Sequence, residues 1–258
     1  MIKAVFKKFI ASDETGFVPY IVAGHPTNEI FKQALHKLDE LGADLIEIGI
    51  PFTDPIAEGK TIEKAHHDVL KNDFSLNQIC EITKEFKKRT KTPIIAMGYT
   101  NSFINPSANA VANLLSKSGF SGVLIVDLPT TETDILKTFK QADLEIISLV
   151  APTTRLNSNK KTLIKHADLI YYITQRGVTG ANNLNNEEIL DKISEIRNIT
   201  DTPIITGFGI NSVEHIHKLK NYVDGIVVGS SIVKCIEEDD SLASLIEYVK
   251  PLSKSTKK

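Results

Sequence analysis

Tryptophan is absent from the 258-residue sequence, and only two cysteines occur. The missing tryptophan decides nothing about function. Cys80 and Cys235 belong neither to a CxxC pair nor to a Cys/His cluster with metal-ligand spacing, which argues against a structural zinc site. Both lie in segments with a helical pattern. We expect two buried, reduced thiols and no bound metal.

A strong charge of one sign is also missing, because 30 basic and 32 acidic residues leave a formal net charge of -2. Such a chain has no overall field that would draw it onto nucleic acid or an anionic membrane. We therefore expect a small-molecule ligand, and neither nucleic acid nor a membrane as a partner.

Long apolar runs do not occur either. Residues 1–8 have no apolar stretch of the signal-peptide kind, and no later run approaches the length of a membrane span. These features predict a soluble, cytoplasmic protein. The polar and basic segment at residues 253–258 predicts a frayed chain end.

Eight short apolar runs carry most of the pattern that is present. Each is flanked by Gly, Pro, Asp or Asn and is followed by a longer amphipathic stretch, as expected of strand–helix units. Most are nearly continuous in Val, Ile and Leu, which is typical of parallel strands covered on both faces. The runs occupy residues 17–23, 45–49, 93–97, 122–126, 145–150, 169–173, 203–207 and 225–228.

These units favour a closed barrel over an open sheet, because no strand-order reversal and no GxGxxG turn follow the first strand. We predict a (β/α)8 TIM barrel of the α/β class, built as a single domain of residues 1–258. An additional N-terminal helix at residues 2–12 is predicted to close the barrel floor. Hydroxyl caps at Ser75 and Thr131 are predicted to begin two of the later helices.

The C-terminal ends of the strands line the active site of such a barrel. Glu47 alternates with Ile46 and Ile48 in the second run, so it points into the barrel if the isoleucines face the helices. Desolvation near an apolar mouth would raise its pKa toward the range useful for acid–base catalysis. A structural glutamate, bonded to neighbouring hydroxyl or backbone groups, is the other interpretation.

Glycines follow three successive strands, in the segments 177–180, 207–209 and 229–231. A single glycine there is commonly a turn residue, but three such segments at neighbouring strand ends predict a phosphate site held by backbone N–H groups. The loops at residues 51–59 and 175–183 contain glycine and few apolar residues at their tips. They are candidate lids.

Other polar residues near strand ends have two interpretations. Asp54 and Asp127 are candidates for a second acid–base group or for turn hydrogen bonds. His66 and His67 are adjacent on a predicted helix and point in different directions, so we expect no shared metal.

Seven segments resemble, in the same order, the signature blocks of tryptophan synthase alpha chains. They are FVPY at 17–20, EIGIPFTDP at 47–55, VDLP at 126–129, VAPTT at 150–154, GVTG at 177–180, GFGI at 207–210 and GSSIV at 229–233. The resemblance implies a barrel lyase of tryptophan biosynthesis that cleaves indole-3-glycerol phosphate into indole and glyceraldehyde 3-phosphate by a retro-aldol reaction. It implies no metal and no organic cofactor in this chain.

The resemblance also implies roles for individual residues. Glu47 matches a carboxylate that protonates the indole C3, and Glu58 matches a second carboxylate that stabilises positive charge at the indole N–H. Thr179 matches a loop residue that engages the second carboxylate when the lid closes. The implied substrate-binding residues are Tyr20, Met97, Leu124, Val126, Tyr171, Thr179 and Phe208, and the implied phosphate-binding residues are Gly180, Gly209, Gly229 and Ser230.

A protein partner is implied as well, namely the beta subunit of tryptophan synthase in a heterotetramer of two alpha and two beta chains. Pyridoxal phosphate is expected only in that beta subunit. The surface expected to contact it comprises the loop 52–58 and the rim at residues 101–105.

Several residues depart from the usual pattern of the family. Glu58 stands where aspartate is usual, Lys60 where proline is common, Glu63 and Lys64 where a Gln-Asn pair is common, and Gln175 where arginine is frequent. These departures motivate an alternative function, a catalytically weakened alpha-like subunit that binds the phosphate ligand and allosterically activates the beta subunit. A third alternative is a different phosphate-binding barrel, such as an isomerase or an aldolase. It is disfavoured because the aldolase would need a Schiff-base lysine at a strand end, and no lysine lies in any of the eight runs.

Overall fold

The eight predicted strands form a closed parallel barrel in the order β1 to β8, which confirms the predicted (β/α)8 TIM barrel. The computed structural model describes residues 1–12, 14–129, 132–173, 186–207 and 209–257. The strands are β1 Gly16–Val22, β2 Ile46–Gly49, β3 Ile94–Gly98, β4 Gly122–Ile125, β5 Glu145–Val150, β6 Leu169–Ile173, β7 Ile204–Gly207 and β8 Gly225–Val228.

Helices occupy the connections between the strands. In the described residues they are α1 Ile2–Ser12, α2 Asn28–Glu40, α3 Lys60–Leu70, α4 Leu76–Lys87, α5 Thr100–Ile104, α6 Ala108–Lys117, α7 Thr133–Gln141, α8 Ser158–His166, α9 Asn186–Arg197, α10 Val213–Leu219, α11 Ser230–Glu238 and α12 Ala243–Ser255. Two apolar clusters result, one inside the barrel and one between the strands and the helices. Strand side chains alternate between these two clusters, as the period of two requires.

Three aspartates set the relative position of neighbouring strands at the barrel floor. Each lies just before an even-numbered strand. Its backbone N–H donates to the carbonyl of one residue in the preceding strand, and its carboxylate accepts from the N–H of that same residue. The backbone N–H of Phe17 donates to the Asp44 carboxylate at 2.7 Å. The N–H of Ile146 donates to Asp168 at 3.0 Å, and that of Ile204 donates to Asp224 at 2.6 Å. The two-bond ring leaves little freedom for one strand to slide past the next.

Helix α1 packs across the floor, as predicted. Phe6 and Ile2 are fully buried in the inner cluster. A Cβ at Gly16 or Gly225 would lie 2.6 or 2.5 Å from the Phe6 ring, so the barrel accepts this ring only because glycine begins those strands. The N-terminal amine adds an ion pair with Glu145 at 2.9 Å. The floor is thus a packed layer of the core.

Three local predictions need correction. Residues 253–257 do not fray: α12 continues to Ser255, Thr256 is buried, and Lys257 pairs with Asp44 at 2.6 Å. These buried polar groups have local acceptors, which composition did not reveal.

The other corrections concern one thiol and one helix start, and a second helix-start prediction falls on a residue outside the described part of the chain. Cys80 is buried as predicted, whereas Cys235 is only half-buried. Ser75 is the N-cap of α4, but its hydroxyl makes no cap hydrogen bond because its backbone ψ of 117° differs from that of the bonded caps. Helix α7 begins after Glu132, and the predicted cap Thr131 lies outside the described residues.

Candidate active site

Glu47 lies on the inner face of β2, because Ile46 and Ile48 belong to the outer cluster as the alternation predicted. The side chain is 0% exposed, and neither carboxylate oxygen has a hydrogen-bond partner within the described part of the chain. Burial, and secondarily the charge of Glu58, raise its pKa to about 8. The geometry therefore supports a neutral acid at neutral pH rather than a glutamate held by structural bonds.

Glu58 enters the same region from the loop between β2 and α3, just before the helix N-cap Gly59. It is 4% exposed, and the Tyr99 hydroxyl donates a hydrogen bond to its Oε2. The same tyrosine oxygen accepts from the Ala57 N–H at 2.9 Å, and its ring stacks on Phe52 at 4.8 Å between centroids. Burial raises the pKa of Glu58 to about 7, against the lowering effect of the Tyr99 bond.

The two carboxyl groups form one electrostatic unit. Both act on Tyr20 and on Tyr171, and raise the pKa of each hydroxyl further after burial has done so. Because burial alone favours protonation of both acids and their mutual repulsion resists double ionisation, one proton shared by the pair is the favoured state near neutral pH. Such a pair provides an acid and a base in one pocket.

The predicted indole-pocket residues lie together around this pair. Tyr20, Met97, Leu124 and Tyr171 are buried members of the inner cluster, and Val126 is half-buried against it. Two strand-end glycines make room for the tyrosines. A Cβ at Gly49 would lie 2.0 Å from the Tyr20 hydroxyl, and one at Gly207 would lie 2.4 Å from the Tyr171 hydroxyl.

Three of the predicted phosphate-binding residues lie in the described part of the chain. Gly229 is the N-cap of α11 and Ser230 its first residue, so free N–H groups point out of the barrel mouth there. Gly209 has a φ of 76°, a backbone conformation that favours glycine. Thr179, Gly180 and Phe208 lie outside the described residues, as does the candidate lid that contains Gln175.

The remaining polar candidates have structural roles in the described residues. Asp127 accepts from the N–H and the hydroxyl of Thr100 at 2.6 and 2.8 Å, and so holds the start of α5. Asp54 is exposed and accepts from Thr53. His66 and His67 diverge, one toward Tyr20 and the other toward the Thr53 carbonyl. No group of three or more His, Cys, Asp or Glu side chains that could hold a metal occurs among residues that the structure describes.

Comparison with known proteins places the chain in a family. The family model described as "Tryptophan synthase alpha chain" matches residues 6–257. This chain belongs to the tryptophan synthase alpha chain family. A curated tryptophan synthase alpha chain of Polynucleobacter asymbioticus is 36% identical, over 92% of this chain and 90% of that protein. The resemblance inferred from the sequence blocks is confirmed.

Solved structures agree with this assignment. The tryptophan synthase subunit alpha of Legionella pneumophila superposes with a TM-score of 0.87 at 28% identity, covering 99% of this chain and 97% of that one. A structure from Aquifex aeolicus has a TM-score of 0.90 at 29% identity, covering 100% and 99%. Family membership assigns this chain the role of the alpha subunit, a lyase in tryptophan biosynthesis that needs no cofactor of its own and pairs with a beta subunit.

Two residues of the site were not singled out for it by sequence reasoning. Tyr99 directly follows β3, so the rule that strand ends line the site would have found it. His66 was considered only as a metal ligand. Its bond to Tyr20 joins residues far apart in the chain, and no local pattern predicts such a contact.

Among the described helices none is long and apolar enough to cross a membrane. The cytoplasmic location stays a prediction.

Proposed function

We propose that this chain cleaves indole-3-glycerol phosphate into indole and glyceraldehyde 3-phosphate, with Glu47 and Glu58 as its catalytic residues. The observation that supports this most strongly is the fully buried Glu47 carboxyl, free of hydrogen bonds within the described residues and neutral near pH 7 because its pKa is about 8. Because this protonated carboxyl has no partner among the described residues, its proton is available for transfer to a bound ligand.

The proposed reaction begins with proton transfer from Glu47 to the indole C3, which turns the ring into an indolenine cation. Ionised Glu58 stabilises the positive charge at the ring N–H. The Glu47 carboxylate then accepts the proton of the glycerol hydroxyl next to the ring. As that hydroxyl becomes an aldehyde, the carbon–carbon bond breaks and its electron pair returns to the ring, and the proton taken from the hydroxyl leaves Glu47 protonated as at the start.

The indole ring is proposed to lie among Tyr20, Met97, Leu124 and Tyr171, with Val126 at the rim. The phosphate is proposed to bind at the start of α11, through the N–H groups of Gly229 and Ser230, and beside Gly209. A helix N-terminus favours an anion through its free N–H groups and its dipole. Thr179, Gly180 and Phe208 are assigned to the same ligand on the sequence resemblance.

The assembly is proposed to be a heterotetramer of two alpha and two beta chains, with the overall reaction in the carbon–oxygen lyase class. The proposed docking surface comprises the loop at residues 52–58 and the rim at residues 101–105. Ile56 supports this assignment because its apolar side chain is 79% exposed at the loop tip.

A catalytically weakened, regulatory alpha-like chain is not favoured. Glu58, the departure that motivated it, is buried, bonded to Tyr99 and electrostatically coupled to Glu47. The longer side chain therefore still reaches the pocket.

Indole release from indole-3-glycerol phosphate, measured with and without the cognate beta subunit, tests the proposal. We expect turnover that the beta subunit stimulates and that Glu47→Gln abolishes, because glutamine has the same shape but cannot transfer the proton. Glu63→Gln on the exposed side of α3, outside the proposed docking surface, is a control for the fold. Unchanged indole release in the Glu47→Gln variant would rule out its assigned role.

A further inference from the structure

A buried chain of two hydrogen bonds runs from the active-site loop to the Tyr20 hydroxyl, which lies beside the carboxylate pair. The backbone N–H of Phe52, which follows β2, donates to Nδ1 of His66 at 3.1 Å. Nε2 of His66 lies 3.2 Å from the Tyr20 hydroxyl. His66 is 1% exposed and Tyr20 is 3% exposed, so water does not substitute for either bond.

The Phe52 bond decides where His66 carries its proton. An N–H group can only donate, so Nδ1 must be the bare, accepting nitrogen. The ring proton then lies on Nε2, and the imidazole must be neutral, since a charged ring would set two donors against each other. Burial supports the same state, because it lowers the pKa of His66 to about 4.

The Tyr20 hydroxyl is consequently the acceptor of the His66 Nε2–H. Its own proton must therefore point away from His66. The charged and titratable groups that act on it are Glu58, Glu47, Tyr99 and Tyr171. Tyr20 is also the register partner of Glu47 across β1 and β2. No hydrogen bond joins this hydroxyl to either carboxyl among the described residues, so the Tyr20 O–H acts on the pair as an oriented dipole.

We propose that His66 is a positioning residue that fixes the Tyr20 hydroxyl with its proton turned away from His66 and toward the Glu47–Glu58 pair. The positive end of this O–H dipole stabilises the ionised member of the pair. Since His66 is bonded to Phe52, movement of the β2–α3 loop also moves the Tyr20 hydroxyl. This inference rests on the proposed function for its catalytic consequence, but the bonds and the titration of the carboxyls can be measured without turnover.

Nitrogen NMR of histidine-labelled protein tests the tautomer, with the His66 signals identified by their loss in His66→Asn. We expect Nε2 protonated, Nδ1 bare, and no titration of this ring near the ordinary histidine pKa of 6.5. A ring protonated on Nδ1, or one that titrates near 6.5, would overturn the proposal.

Carbon NMR of glutamate-labelled protein tests the Tyr20 hydroxyl itself. Tyr20→Phe removes only the hydroxyl, so we expect the lower apparent pKa of the carboxyl pair to rise by about one unit, because the ionised carboxyl loses a stabilising dipole in a buried site. An unchanged titration would overturn the proposal.

A double-variant comparison tests whether His66 acts through Tyr20. Asparagine at position 66 can still accept from Phe52 but does not reach Tyr20, whereas glutamine carries an N–H group toward the Nε2 position. We expect His66→Asn to raise the lower apparent pKa of the carboxyl pair and His66→Gln to raise it much less. In the Tyr20→Phe background, His66→Asn should cause no further rise. Independent, additive shifts would contradict a shared path.

Activity gives the final check, with His217→Asn on the exposed face of α10 as the control. Relative to the wild type, we expect Tyr20→Phe and His66→Asn to lower kcat/KM about tenfold below neutral pH and much less at higher pH. A shift of about one unit in the lower pKa of the carboxyl pair requires this pattern. An equal loss at every pH would indicate damage to packing and contradict the proposal. If no variant, wild type included, releases indole, the proposed function fails while the NMR results still decide the inference.

Discussion

At the scale of single residues, the site depends on two carboxyl groups whose environments differ. Glu47 has no bond to the described residues and is fully buried, whereas Glu58 receives the Tyr99 hydroxyl. Burial raises the pKa of both carboxyls, and the Tyr99 hydrogen bond opposes that rise only at Glu58, which favours the proton on Glu47 and the charge on Glu58. The assigned acid and the assigned charge stabiliser thus follow from burial and one hydrogen bond.

We predict a bell-shaped pH profile for kcat/KM. Activity should rise as the pH increases through about 7, where Glu58 ionises, and should fall above about 8, where Glu47 loses the proton it must donate. The two apparent values belong to the coupled pair. Initial rates of indole formation across this window check the prediction. A flat profile from mildly acidic to mildly basic pH would contradict the assigned protonation states.

We predict that Glu58→Asp weakens the enzyme despite matching the residue usual in the family. The shorter side chain draws the carboxylate about an angstrom away from Tyr99 and the pocket, a displacement that can cost on the order of a hundredfold in rate. Single-turnover cleavage rates measure the effect, with Glu63→Asp on the exposed side of α3 as the matched control. A Glu58→Asp variant as fast as the wild type would show that the loop repacks freely.

At the scale of elements, the barrel floor and the barrel mouth have separate tasks. The aspartates before β2, β6 and β8 hold the strands in register, while the opposite end of the barrel carries the proposed catalytic groups. Polar groups at the floor are therefore expected to affect stability and those at the mouth to affect catalysis.

We predict that Asp224→Ala destabilises the fold by about 1–3 kcal/mol, the cost of leaving a buried N–H without its partner. Asp224 accepts from the Ile204 N–H and from Arg197, each at 2.6 Å. Urea unfolding of the variant measures the loss, and Asp240→Ala at an exposed turn serves as the control. Equal midpoints for the two variants would show that the floor bonds contribute nothing.

At the scale of the whole molecule, helix α1 completes a core that the barrel alone leaves open. Phe6 fills the space above two strand-start glycines, and Thr15 ties the chain just after α1 to the C-terminal end through the Thr256 carbonyl at 3.1 Å. The two chain ends thus meet at the floor, opposite the active site.

We predict that Phe6→Ala lowers the free energy of unfolding by about 3–5 kcal/mol, because a fully buried ring is replaced by a cavity. The turnover number at low temperature should change little, since the mouth is built by other strand ends. Denaturant unfolding together with kcat separates the two effects, with Lys8→Ala as the exposed control on the same helix. A large fall in kcat without lost stability would contradict this division.

Much of the fold was predictable because it depends on local pattern. Apolar runs with turn residues predicted all eight strands within one or two residues, and the alternation around Glu47 correctly predicted its inward face. The chain end at residues 253–257 was wrongly predicted to fray, because buried polar groups such as Thr256 are stabilised by partners that composition does not reveal.

The order of βα units, the family and the inward position of Glu47 were already determined by residues close together in the chain. Only the tertiary structure decided that burial keeps Glu47 neutral and that Tyr99 donates a hydrogen bond to Glu58. The same is true of the hydrogen bonds that join Phe52, His66 and Tyr20. The physical reason is that burial and hydrogen bonding depend on which strands and loops meet at the mouth. The raised pKa of Glu47 therefore depends on the tertiary structure, since the same carboxyl in a solvated chain would be ionised at neutral pH.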